Sequence, residues 1–374
     1  MTRVLEDRKN AMREADGVIF VMDLVIPFSI MSALVLTLVL LPPVRRLAIK
    51  TGVVDHPDQR KVHQEAMPLL GGLAIFIAFW TTVLCTQPLT KEIIAFGAGS
   101  LLILVSGVWD DSRNISPAVK LVFQIAAALV VMVFGGIRIT FMTSLFGVNP
   151  MDLGWLALPL TLGWIVGLTN AINLMDGLDG LAAGVSGIAA ISIGIIAWME
   201  GFASVGLLAL ILGVSALAFL RFNFYPAKIF MGDTGALFLG YSLAVLSIMG
   251  LTKMATTVSV FLPILVLGVP ISDTLLAIVR RLTNKTPIFS PDKDHLHHRL
   301  LALGMSQKRA VLTVYCVCVF LSLSAIGISL LPTGQALMGI FLVAILVLYG
   351  ADKIGVIGRK VRRNGAEQKK SAES

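Results

Sequence analysis

All five histidines, and the Asp and Asn residues grouped closely enough to act together, fall in five short polar clusters that interrupt an apolar chain. Asp110 and Asp111 follow Gly107-Val108-Trp109, and Lys120 opens the next apolar run. Such an acid pair can bind a divalent cation or take a proton from a phosphate, and a lysine beside it can hold an anion. The same pair can equally be solvated charge at a helix end. The segment Asn170-Ala171-Ile172-Asn173-Leu174-Met175-Asp176-Gly177-Leu178-Asp179-Gly180 repeats a polar group every three residues. On a helix, Asn170 and Asn173 share a face. The two Asp-Gly pairs mark a turn whose backbone N–H groups can meet an anion. Asn and Asp oxygens suit Mg²⁺, which takes one or two protein ligands plus substrate phosphates. A helix cap and turn is the plainer alternative, and an EF-hand does not fit the spacing.

The remaining clusters offer a further acid and most of the cations. Asp233, in Gly232-Asp233-Thr234-Gly235, opens an apolar helix as an N-cap or as a metal ligand. His295, His297, His298 and Arg299 form a basic cluster. No HExxH pattern supports zinc there, whereas His and Arg suit charge-assisted hydrogen bonds to a diphosphate. Arg60 and Lys61, in Asp55-His56-Pro57-Asp58-Gln59-Arg60-Lys61, read as phosphate-binding charges or as a basic loop beside anionic lipid. Phosphate loops of the GxxxxGK[ST] type, GxGxxG fingerprints and GxSxG elbows are absent.

The elements that must position these clusters are membrane helices. The 374 residues are 56% hydrophobic and only 14% charged, with mean hydropathy +0.88. A bilayer core of ~30 Å needs about 20 apolar residues per helix. Apolar blocks predict about eleven spans, near 20–42, 69–86, 93–109, 119–135, 153–170, 182–199, 203–221, 234–251, 257–280, 309–331 and 335–351. The blocks are too long for barrel strands, so the expected class is all-α and polytopic. A polar segment 1–17 precedes a single membrane domain, 18–352, and a basic tail, 353–374, follows it. No cleavable signal is expected, since the first apolar block starts late. Cys85, Cys316 and Cys318 lie within apolar blocks and are too few for a disulfide framework or a zinc site.

Charge orients the bundle. Twenty-three of the 30 Lys and Arg fall in or beside one alternating set of loops, the opposite loops hold Lys91, Arg138 and Lys253, and the other four lie in the N-terminal segment, offset by Glu6, Asp7, Glu14 and Asp16. The positive-inside rule then puts the first set and the C-terminus in the cytoplasm and the N-terminus outside. All five chemical clusters belong to that set. A net charge of +8 spread over loops and a tail argues against nucleic acid and suits anionic lipid or an anionic substrate. Polar chemistry on one face favours a membrane-surface enzyme over a transporter for lipid-linked sugars, which needs mid-membrane charges and an internal repeat. A structural scaffold needs no such ordered motifs.

From Val54 to Arg309, the motifs DHPDQRKVH, VWDD with Lys120, NAINLMDGLDGLAAG, FMGDTG and DHLHHRLL stand in the order found in one superfamily. The chain resembles the polyprenyl-phosphate N-acetylhexosamine-1-phosphate transferases, in the WecA/TagO-like branch related to MraY. Arg113-Asn114 and the loop His295-Leu296-His297-His298-Arg299 depart from the MraY-type pattern and argue against a muramyl-pentapeptide substrate. The resemblance implies transfer of a sugar 1-phosphate from UDP-N-acetylglucosamine, or another UDP-N-acetylhexosamine, to undecaprenyl phosphate. It implies Mg²⁺, with Mn²⁺ as a substitute, and matches Asn173 and Asp233 to the metal ligands. Asp110 and Asp111 would deprotonate or orient the lipid phosphate that Lys120 binds. Asn170, Asp176, Asp179, the histidine–arginine loop, Arg60 and Lys61 would contact the nucleotide sugar. Asp273, on the ninth apolar block, would support the site or pair with Arg280 or Arg281. A homodimer is the assembly left open.

Overall fold

The computed structural model describes residues 2–55, 66–143, 150–251, 260–284 and 295–353. Each predicted apolar block is helical where described. Helix α1 (Thr2–Thr51) runs through Pro27, Pro42 and Pro43, so the polar N-terminal segment and the first block share one helix. A hairpin of β1 (Val54–Asp55) and β2 (Met67–Pro68) then joins the two ends of the first polar loop, with Val54 opposite Pro68. Helices α2 (Gly71–Thr86), α3 (Lys91–Arg113) and α4 (Pro117–Val133) follow. Strands β3 (Phe141–Thr143) and β4 (Pro150–Asp152) pair antiparallel at the opposite end of the bundle. Next come α5 (Ala157–Met175), α6 (Leu181–Met199), α7 (Ala203–Asn223) and α8 (Gly232–Leu251). The chain continues with α9 (Phe261–Val266), α10 (Gly268–Thr283), α11 (Leu296–Ala302), α12 (Gln307–Ser329) and α13 (Thr333–Lys353).

Eight of these helices are long and apolar enough to cross a membrane, and α2 and α4 are apolar but shorter. The chain is a mostly helical polytopic membrane protein. Two expectations are corrected. Short strands do occur, as hairpins that tie loop ends rather than as barrel staves. The block 257–280 is not one continuous helix: α9 and α10 meet at Leu267, whose ψ of 18° leaves the helical region. Pro270 has no N–H to offer the Val266 carbonyl, and its ring crowds that turn, which accounts for the break.

Helix α8 is the axis of the bundle, 89% buried over its most apolar stretch, and α2, α3, α5, α6 and α7 surround it. Small residues let backbones approach closely, as lipid-embedded packing requires. A Cβ on Gly72 would lie 2.1 Å from Gly235 Cα, and one on Gly107 would lie 2.4 Å from Thr234 Cα. Helices α2 and α3 therefore touch the first turn of α8, the turn that carries Asp233. Above it, edge-to-face contacts of Phe79 with Phe96 and with Phe238 fill the core between the same three helices.

Candidate active site

The polar ends of α3, α5, α7, α8 and α12 converge on one cavity of about 670 Å³, in the range of small-molecule sites. Each of the five sequence clusters reaches it. Asp55, Met67 and Leu69 contribute from the first, Asp110, Asp111 and Asn114 from the second, and Asn173, Asp176 and Asp179 from the third. Asn223, Tyr225 and Asp233 come from the fourth, and His298 and Gln307 from the fifth loop and the start of α12. Arg60 and Lys61 lie outside the described residues.

The two adjacent acids do different things. Asp110 closes the end of α3: its Oδ1 accepts the Ile115 N–H at 2.9 Å, and Asn114 terminates the helix at φ 49°. Its Oδ2 pairs with Lys120 Nζ at 2.7 Å. Asp111 instead reaches across to α8. Its Oδ1 accepts the Asp233 N–H at 2.8 Å, and its Oδ2 accepts the Thr234 N–H at 3.1 Å and the Thr234 hydroxyl. A helix start leaves N–H groups without intrahelical partners. Asp111 supplies that cap from another helix. Gly232 permits it, because a Cβ there would sit 2.4 Å from Asp111 Oδ2 and its φ of 69° suits glycine.

Lys120 Nζ also pairs with Asp233 Oδ2 at 2.6 Å, so one ammonium joins two carboxylates. Carboxylate oxygens of Asp110, Asp111 and Asp233 lie within 4.8 Å of one another. With the Asn173 amide on the same cavity wall, the donor set is hard oxygen throughout, which fits Mg²⁺ or Mn²⁺ and not zinc.

The third loop is clamped from two sides. Asp179 Oδ2 accepts the Ala227 N–H at 3.0 Å. Asn223 Oδ1 accepts the Gly180 N–H at 3.0 Å, while its Nδ2 donates to the Ile229 carbonyl. Tyr315 Oη donates to the Gly180 carbonyl at 2.5 Å. Asp176 lines the cavity among other acids. Desolvation, and then the charges of Asp233, Asp111 and Asp179, push its carboxyl up to about 7. Asn170 does not reach the cavity wall. Its amide exchanges hydrogen bonds with Gln124, at 2.6 and 3.2 Å, and ties α5 to the helix that carries Lys120.

In the fifth cluster, His295 and His297 are buried and His298 faces the cavity. Burial, and then the neighbouring His298, hold the His297 imidazole down to about 4, so it is neutral at physiological pH. Arg299 follows on α11 and does not line the cavity. Sequence reasoning missed Asn223, Gln307, Gln124 and Tyr315. Asn223 could have been suspected as an uncharged polar residue closing an apolar helix before Pro226, but Tyr315 carries no such signal.

Residues 93–251 match the family described as glycosyl transferase family 4. The chain is 45% identical over 331 residues to a probable undecaprenyl-phosphate N-acetylglucosaminyl 1-phosphate transferase of Bacillus subtilis, covering 88% of this chain and 92% of that protein. It is 35% identical to a decaprenyl-phosphate N-acetylglucosaminephosphotransferase of Mycolicibacterium smegmatis, covering 82% and 83%. An undecaprenyl-phosphate alpha-N-acetylglucosaminyl 1-phosphate transferase of Escherichia coli O157:H7 is 28% identical, with 86% and 91% covered. Similarity at this level along most of both chains makes this protein a member of glycosyl transferase family 4, among the polyprenyl-phosphate N-acetylglucosaminyl 1-phosphate transferases.

Proposed function

We propose that the chain transfers N-acetylglucosamine 1-phosphate from UDP-N-acetylglucosamine to undecaprenyl phosphate at the cytoplasmic face of a bacterial membrane. The observation that carries this reading is an acid-lined cavity at the ends of membrane-length helices. A lipid-borne phosphate and a soluble nucleotide sugar meet at such a boundary. A phosphate oxygen of the lipid attacks the β-phosphorus of the UDP-sugar. The bond from that phosphorus to the bridging oxygen breaks, and UMP leaves with the electron pair.

Phosphoryl transfer asks for positioning and charge neutralisation more than for covalent chemistry. Asp233 and Asn173 are the residues that would hold Mg²⁺, or Mn²⁺ in its place. When bound, the ion offsets the negative charge of the diphosphate. Lys120, already gathered between two acids, orients the lipid phosphate. Asp110 is the better placed of the acid pair to accept a proton from it. Asp111 keeps Asp233 in place, because its own oxygens are engaged by α8. His298 and Asp179, with Arg60 and Lys61, serve the nucleotide sugar. Direct attack by the lipid phosphate needs no aspartyl intermediate, since that phosphate is already an anionic nucleophile.

The same reading takes eleven crossings, with α9 and α10 as one, the N-terminus outside and the C-terminus in the cytoplasm. The charge asymmetry of the loops supports it. The test uses purified protein, undecaprenyl phosphate, Mg²⁺ and a panel of UDP-sugars, with UMP and lipid product as readouts. Turnover with UDP-N-acetylglucosamine is expected. Absence of product with every UDP-N-acetylhexosamine would sink the proposal.

A further inference from the structure

Asp273 is a buried carboxylate on α10, and nothing in the reaction above uses it. Its partners lie across the chain on the fifth loop. Oδ2 is 2.8 Å from His295 Nδ1, and Oδ1 accepts the Leu296 N–H at 2.8 Å. Both side chains are about 6% exposed. An ionised carboxylate only accepts hydrogen bonds, so His295 must carry a proton on Nδ1. Through Leu296, the same carboxylate satisfies an N–H at the start of α11 that has no intrahelical partner.

What this grip holds in place bears on the site. The His295 ring lies parallel to His297, centroids 5.9 Å apart, and His297 packs against His298 at 4.2 Å. His297 Nε2 lies so close to Gly177 that a Cβ there would be 2.5 Å away. A row of three rings therefore runs from α10 to the third loop, with its last member at the cavity.

We propose that Asp273 is a positioning residue for the nucleotide-sugar side of the site. It fixes the tautomer and orientation of His295, and so seats α11 with His297 against Gly177 and His298 at the cavity wall. Asp273 sits on the inner half of the broken span, so this grip joins a membrane helix to a soluble loop. The proposal rests on the transferase reading for its kinetic consequence but not for its geometry.

Asp273→Asn tests it. Asparagine can still accept the Leu296 N–H, but its Nδ2 can only donate, so His295 must move its proton to Nε2. Nitrogen-15 spectra of histidine-labelled protein should show the signal of one histidine change from protonated at Nδ1 in the wild type to protonated at Nε2 in the variant. The variant should unfold within a few degrees of wild type. It should lose about 10- to 100-fold in kcat/KM for the UDP-sugar, a loss of the size seen when the partner that orients a metal-bound histidine is removed. The KM for undecaprenyl phosphate should stay within about two-fold of wild type, and Asp273→Glu should recover part of the loss. An unchanged histidine tautomer would overturn the proposal. So would activity within two-fold of wild type, or an equal rise in both KM values. If wild-type protein transfers no sugar phosphate, the transferase reading fails while the tautomer measurement still decides the grip.

Discussion

Asp110 and Asp111 are neighbours in sequence and opposites in duty. Asp110 turns its free oxygen to Lys120, whereas Asp111 spends both oxygens on the first turn of α8. Variants of Asp111 and of Asp233, the residue whose turn it caps, should separate. Asp111→Ala is expected to lower thermal stability by about 1–2 kcal/mol through the lost cap. Asp233→Ala should leave the fold intact and reduce turnover by about two to three orders of magnitude, as loss of a preorganised charge does. Detergent-solubilised protein scored for both unfolding temperature and UMP release distinguishes the two. His297 offers a pH test. Its folded value near 4 lies below the ordinary 6.5 of an unfolded histidine, so between those values the unfolded chain binds the extra proton. Stability should therefore fall as pH drops through that window, by up to about 3 kcal/mol from this group. His297→Gln should make the loss between pH 7 and 4.5 shallower. Asp176 has the opposite sign. Its raised carboxyl costs stability once ionised, so Asp176→Asn should stabilise the ligand-free protein more at pH 8 than at pH 5.

The elements that carry these residues were largely legible, since hydrophobic blocks of membrane length have few alternatives in lipid. The break at Leu267 was not, because Pro263 and Pro270 sit in an apolar run whose average hides them. The cap on α8 was invisible for a different reason: donor and acceptor are 122 residues apart, so no local pattern announces them. Glycine spacing hinted at close packing but not at which helices meet. At this scale, Gly72→Ala is the sharp test, because its Cβ would fall 2.1 Å from the backbone of Gly235. Overpacking of this kind costs about 1–3 kcal/mol. The displaced turn carries Asp233, so turnover should fall further than unfolding temperature alone explains.

Across the whole molecule, one face gathers the chemistry. The alternation of charged and bare loops foretold which loops share a side, and the cavity brings residues of all five clusters together there. It did not foretell that Asn170 serves a helix contact with Gln124, or that Tyr315 reaches the third loop, since both depend on packing between distant spans. Orientation has a direct measurement. In a background lacking Cys85, Cys316 and Cys318, a cysteine replacing Asp292 should react with an impermeant reagent only from the cytoplasmic side. Labelling from the outside would invert the topology.

The bond from Tyr315 to Gly180 also sets a timetable. The hydroxyl lies 135 residues downstream of the carbonyl it holds, and its ring fills a notch that Gly184 leaves on α6. At about 5–20 residues per second, a ribosome needs roughly 7–27 s to travel from one to the other. Until α12 has entered the bilayer, Gly180 lacks one of its two anchors and the cavity lacks Gln307 from its wall. A chain whose synthesis stops short of α12 would have inserted most of its helices and still be catalytically silent.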